Sequence, residues 1–122
     1  MTESKATAAL LRQIRERYAG KPIFVRKIAQ LVGAGLPDVH LIVRGVPMAI
    51  ECKGPATPIT ELQAKTLRDI DAAGGRAYVL RFTGEGPATA HMLSRITRAG
   101  EIPLGQTLFT RIDQILERDP SQ

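Results

Sequence analysis

Near the start of the chain, Leu10, Leu11, Ile14 and Tyr18 recur at helical spacing, while Arg12, Arg15 and Glu16 fall elsewhere around the axis. The pattern predicts a helix over residues 5–18, stopped by Gly20 and Pro22. The segment IFVRKIAQLV is ambiguous: its β-branched start suggests a strand, and AQLVGAG leads into a turn. The period then changes to two. In DVHLIVR, Val39, Leu41 and Val43 fall on one face, with Asp38, His40 and Ile42 on the other. After a tight reversal at Arg44, Gly45 and Val46, PMAIECK reads as a second strand, with Pro47 at its start. The two strands are expected to pair as an antiparallel hairpin.

Gly54, Pro55 and Pro58 interrupt this pattern, and a helix is expected from Thr60 to Ala73 with Leu62, Thr66, Leu67, Ile70 and Ala73 as its buried stripe. Gly74 and Gly75 end it, and RAYVLRF reads as a strand, so that helix becomes a crossover packed on the sheet. A further helix is read over residues 88–99, carrying His91, Arg95 and Arg98. An EIPLG loop follows, then a short last helix over residues 108–117. No internal repeat or low-complexity stretch is present, and 122 residues suit one domain with one modest core.

Composition narrows the chemistry a little. The core must be aliphatic, since only Phe24, Phe82, Phe109, Tyr18 and Tyr78 are aromatic, and these are too few for a base-stacking platform. The 17 Lys and Arg against 12 Asp and Glu leave a net charge of +5, which favours a polyanionic partner without requiring one. Cys52 is the only cysteine, so neither an intrachain disulfide nor a cysteine-based zinc site can form within one chain. No run has the length of a membrane span and the first residues do not read as a signal peptide. A soluble, cytoplasmic protein with no membrane partner is expected.

The chemistry gathers at one corner. In AIECK, Glu51 and Lys53 share a strand face, with Cys52, Met48 and Ile50 on the opposite one. The start of a hairpin's first strand lies across from the end of its second, so Asp38 lands beside Glu51 and Lys53. Two clustered carboxylates repel unless a cation joins them, and hard oxygens suit Mg²⁺. Such an ion polarises a phosphoryl oxygen and acidifies a water, and a lysine beside it can orient that water or stabilise developing negative charge. The corner therefore suits phosphodiester hydrolysis.

Pro37-Asp38 followed by Glu51-Cys52-Lys53 resembles the PD-(D/E)xK nuclease signature. The longer run GLPDVHLIVRGVPMAIECK, then Gln63 near a helix start, then AGGRAYVLR, is similar to the VRR-NUC family of that superfamily, over roughly residues 12–82. The resemblance implies an α/β restriction-endonuclease-like core, a small mixed sheet flanked by helices in the order αβββαβ, that cleaves DNA with Mg²⁺ or Mn²⁺. By position, Asp38 and Glu51 match the metal carboxylates and Lys53 the catalytic lysine, with the Cys52 backbone carbonyl as a further metal donor. Gln63 matches the family's glutamine and Glu16 the acidic residue of the first helix. Stand-alone relatives of this size are phage and bacterial enzymes acting as homodimers on four-way (Holliday) junctions. That substrate is the expectation here, with a flap, nick or sequence-specific endonuclease as the alternative.

Blander readings stand beside these. Asp38, Glu51 and Lys53 would also suit a solvated hairpin edge with a cross-strand ion pair. Thr60 and Gln63 are spaced as a capping box, which can coexist with a site role. A surface Glu16 needs no special reason. His40, on the face of Asp38, is read as structural and Cys52 as a buried small hydrophobe. Lys21, Arg26, Lys27, Arg95 and Arg98 are possible DNA contacts, with His91 beside the last two, or else a solvated face. A non-catalytic nucleic-acid-binding module of the same fold is the competing class, though it would be expected to have lost one of Asp38, Glu51 or Lys53.

Overall fold

The computed structural model describes residues 2–28, 35–82 and 91–118. Its elements are α1 (Glu3–Arg17), β1 (Ile23–Lys27), β2 (Val39–Val43), β3 (Val46–Lys53), α2 (Glu61–Ala72), β4 (Arg76–Arg81), β5 (Met92–Thr97), β6 (Gly100–Thr107) and α3 (Leu108–Leu116). The strands form one sheet in chain order. Neighbours are antiparallel except β3 and β4, which run parallel because α2 carries the chain back across the sheet. The mixed sheet and its flanking helices match the expected α/β class.

Helices α1 and α3 cover one face. The stripe Leu10, Leu11, Ile14 and Tyr18 is buried there with Leu108, Phe109, Ile112 and Ile115, over Val39, Leu41, Val43, Met48, Ile50, Cys52, Tyr78 and Leu80. The other face carries α2 on a small cluster of Leu67, Ala77 and Val79. Of the stripe expected for α2, Leu67 alone is buried, and Leu62 remains 48% exposed. This helix rests on the sheet along a narrow line.

The later part of the chain corrects two expectations. Residues 92–97, expected in a helix, form strand β5, and EIPLG lies inside β6. Met92, Leu93 and Ile96 have spacings that imitate a helix face, but cross-strand pairing with β4 and β6 overrides them. Pro103 is tolerated because β6 is an edge strand, where a missing donor leaves no ladder bond unmade. The early part of that expected helix and most of AQLVGAG lie outside the described residues.

Candidate active site

Two residues set the register of the corner. Arg44 and Gly45 both have positive φ, 46° and 80°, as a two-residue hairpin turn of the mirror-image type requires. The turn pairs Val43 with Val46 and Val39 with Ile50, so one step further Asp38 faces Glu51. An Asp38 Oδ2 accepts the Cys52 amide at 2.8 Å, which fixes the carboxylate against β3. Gly35, just upstream, has φ of 98°, and a Cβ there would lie 2.6 Å from Leu62 Cγ. Only glycine lets the chain before Asp38 pass so close to the first turn of α2.

Glu51 and Lys53 point to the α2 face and are 3% and 8% exposed. Because β3 lies between β2 and β4, the solvated-edge reading does not describe them. Buried charges of this kind are costly without compensation. Burial pushes the Glu51 carboxyl up to about 8, the nearby Asp38 charge adds to the rise, and Lys53 opposes it. Gln63 Nε2 donates to Glu51 Oε1 at 3.1 Å. The Gln63 Oε1 accepts the Thr60 amide while Thr60 Oγ1 accepts the Gln63 amide, completing a capping box. One side chain therefore caps α2 with its oxygen and holds the site carboxyl with its nitrogen.

Two further residues border the corner that the pattern of the sequence did not single out. Glu3 Oε2 accepts the Gly54 amide at 3.2 Å, and its charge contributes to the rise at Glu51. It sits in the first turn of α1, whose N-cap is Thr2, a Thr-Glu start signal that precedes the expected helix boundary. Glu16 lies thirteen residues further along α1, about 20 Å up the axis, and is exposed beside Gln13 and Arg17. The structure does not bring it to the corner. Arg81 ends β4 directly beside Lys53 in the parallel register. Its guanidinium donates to the Gly54 carbonyl at 2.8 Å and to the Thr57 carbonyl, and pairs with Glu101 at 2.7 Å. The signal for Arg81 lay in the crossover itself, since parallel strands end side by side.

The expected DNA contacts scatter. Arg26 pairs across from His40 on the face of Asp38, and Lys27 lies beside Val39, so both exposed side chains belong to the corner's end of the sheet. Lys21 lies at the opposite end, beyond the pairing of Ile23 with Val43. Arg98 is in the β5–β6 turn, and Arg95 is ion-paired to Asp71 at 2.7 Å. His91 is buried edge-on to Phe82, and His40 meets Phe24 edge-on. Cys52 is buried in the α1-side core, which pushes its thiol up to about 12 and leaves it an inert hydrophobe.

Among the described residues, no group of three or more His, Cys, Asp and Glu side chains is arranged to hold a metal ion. The corner offers the Asp38 and Glu51 carboxyls, with Glu3 beside them on the Gly54 amide, and burial first and the Asp38 charge second disfavour the ionised form of Glu51. A cation between them would relieve that repulsion. Such all-oxygen donors suit a hard cation such as Mg²⁺ or Mn²⁺.

No family model matches the sequence, and no curated protein matches it. The fold does have solved counterparts. One is the Hjc Holliday junction resolvase of Archaeoglobus fulgidus, an archaeal hyperthermophile, at 14% identity and a TM-score of 0.59, covering 83% of this chain and 86% of that one. Another is a structure described as a VRR_NUC domain, at 19% identity and a TM-score of 0.51, covering 95% of each chain. The chain has the fold shared by that resolvase and the VRR-NUC domain.

Proposed function

We propose that this single domain is a metal-dependent DNA endonuclease. One observation carries the reading: Glu51 and Lys53 are buried side by side on an interior strand, with Asp38 fixed on the Cys52 amide beside them. In this reading Asp38 and Glu51, with the Cys52 carbonyl, would hold Mg²⁺ or Mn²⁺. Bound there, such a cation would supply Lewis acidity toward a phosphoryl oxygen. Lys53 orients the attacking water or stabilises the charge gathering on the phosphoryl oxygens. Gln63 fixes the Glu51 carboxyl, and Glu3, not Glu16, is the first-helix carboxylate at the site. The sugar-phosphate backbone is met by Arg26 and Lys27 at the same end of the sheet.

The likeness to a Holliday junction resolvase supports a branched substrate, and a four-way junction cut by a homodimer is the form favoured here. Flap, nicked or sequence-specific cleavage is the alternative within the same chemistry. The test is incubation with labelled four-way junction, flap, nicked and plain duplex in Mg²⁺, Mn²⁺ or EDTA, beside Asp38→Asn. Metal-dependent cutting that prefers the junction and drops at least 100-fold in the variant is expected, as for loss of a group stabilising the transition state. Cutting of another structure would keep the chemistry and discard the junction. Tight binding by folded protein with no cutting of any substrate would favour a non-catalytic binding module.

A further inference from the structure

A second concave surface lies mainly on the α3 side of the sheet, at the end where α2 hands over to β4 through Gly74 and Gly75. It is a cleft of about 500 Å³, lined by Arg76, Arg95 and Arg111 together with Asp71, Tyr78 and Gln106. Three guanidiniums meet one carboxylate, and that carboxylate is already paired with Arg95. Neither the Arg76 nor the Arg111 guanidinium has a hydrogen-bond or ion-pair partner among the described residues. The Arg111 Nε is also the only buried side-chain nitrogen or oxygen among those residues that lacks a hydrogen-bond partner. A buried donor left unmade costs on the order of 1–3 kcal/mol, and an anion in the cleft would satisfy it.

We infer that this cleft grips a backbone phosphate of DNA, from a strand other than the one at the Asp38 corner. Guanidiniums match a phosphate's oxygens with paired, charge-assisted hydrogen bonds, and the chain's +5 charge favours a polyanion over an isolated carboxylate ligand. Arg76 begins β4 and Arg81 ends it beside Lys53, so the cleft lies about 16 Å from the corner along the sheet, as well as across it. A straight duplex lying on the α2 face leaves the cleft empty. Branched DNA, whose arms diverge, can reach both. The inference thus rests on the nuclease reading and sharpens it, because a cleft of this kind selects for a substrate that wraps the domain.

Arginine Nε–H resonances of the Asp38→Asn protein would be followed by NMR during titration with inorganic phosphate, a plain duplex and a four-way junction. The Arg111 resonance is expected to shift at saturating junction and more weakly with millimolar phosphate. Replacing Arg76 and Arg111 together by Gln should weaken junction binding about tenfold, lower the slope of log affinity against log salt by about 1 to 2, and affect plain duplex less. The single Arg76→Gln variant, at a half-buried position on the strand's first residue, guards against a folding artefact. A bound junction that leaves the Arg111 resonance unmoved overturns the inference and spares the nuclease reading. A response to phosphate alone also overturns it, by assigning the cleft to free phosphate. Failure to bind any DNA overturns both.

Discussion

Glu51 is a carboxyl held where a carboxylate is disfavoured. Burial is the main cause, the Asp38 charge the next, and the result is a rise from 4.5 to about 8. The folded state therefore binds this proton more tightly than the unfolded chain does. Its contribution to stability is complete below about pH 4.5 and is lost as pH rises through 8. Without metal, Glu51→Gln should melt later than the parent protein at pH 9, by on the order of 2 kcal/mol after allowance for solvent screening. The two should coincide near pH 4. Divalent cation should narrow the gap at pH 9 by stabilising the parent's carboxylate pair. Thermal melts at both pH values decide it; equal midpoints at pH 9 would mean that Glu51 is not held out of its charged state.

Among the elements, the join between β3 and β4 governs the loop behind Lys53. Arg81 holds the Gly54 and Thr57 carbonyls with one nitrogen and Glu101 with the others, and Ser94 Oγ also donates to Glu101 at 2.6 Å. These bonds keep the Glu101 carboxyl below its usual range. Stability from such a depressed group is present above the unfolded value and is lost as pH falls through the folded one. Arg81→Gln should therefore cost about 2 kcal/mol at neutral pH and progressively less in acid, as Glu101 takes up a proton and no longer needs its partner. Urea unfolding at neutral and acid pH tests this; a cost independent of pH would place the damage in packing instead of the ion pair. The same join shows what was legible. The β2–β3 hairpin and its corner followed from strict alternation and from Gly45, which are local signals. Leu62 misled because α2 touches the sheet only along the line of Leu67, and β5 misled because pairing with β6, not its own periodicity, made it a strand. Glu3 and Arg81 reach the corner through contacts 51 and 27 residues apart in sequence, which no local pattern carries.

For the molecule as a whole, the two faces of the sheet have different tasks. The α1 and α3 side holds nearly all the apolar packing, while the α2 side holds the charged corner over Leu67, Ala77 and Val79. Stability and site geometry should therefore be separable by mutation. Ile112 is fully buried on the thick side, and Ile112→Ala should cost about 3 to 4 kcal/mol as a cavity forms. Its effect on metal-dependent cleavage, measured well below the melting midpoint, should stay within about twofold, since the free energy is lost equally from every folded state. Leu67→Ala removes the anchor that seats α2, and with it the Gln63 contact to Glu51. It should cost about 2 to 3 kcal/mol and lower cleavage about tenfold or more, because small misplacements at a reacting centre are amplified in rate. Denaturation curves and single-turnover rates for both variants make the comparison. If Ile112→Ala lost as much rate per folded molecule as Leu67→Ala, the core and the corner would be one mechanical unit, and the narrow seat of α2 would not be what positions Glu51.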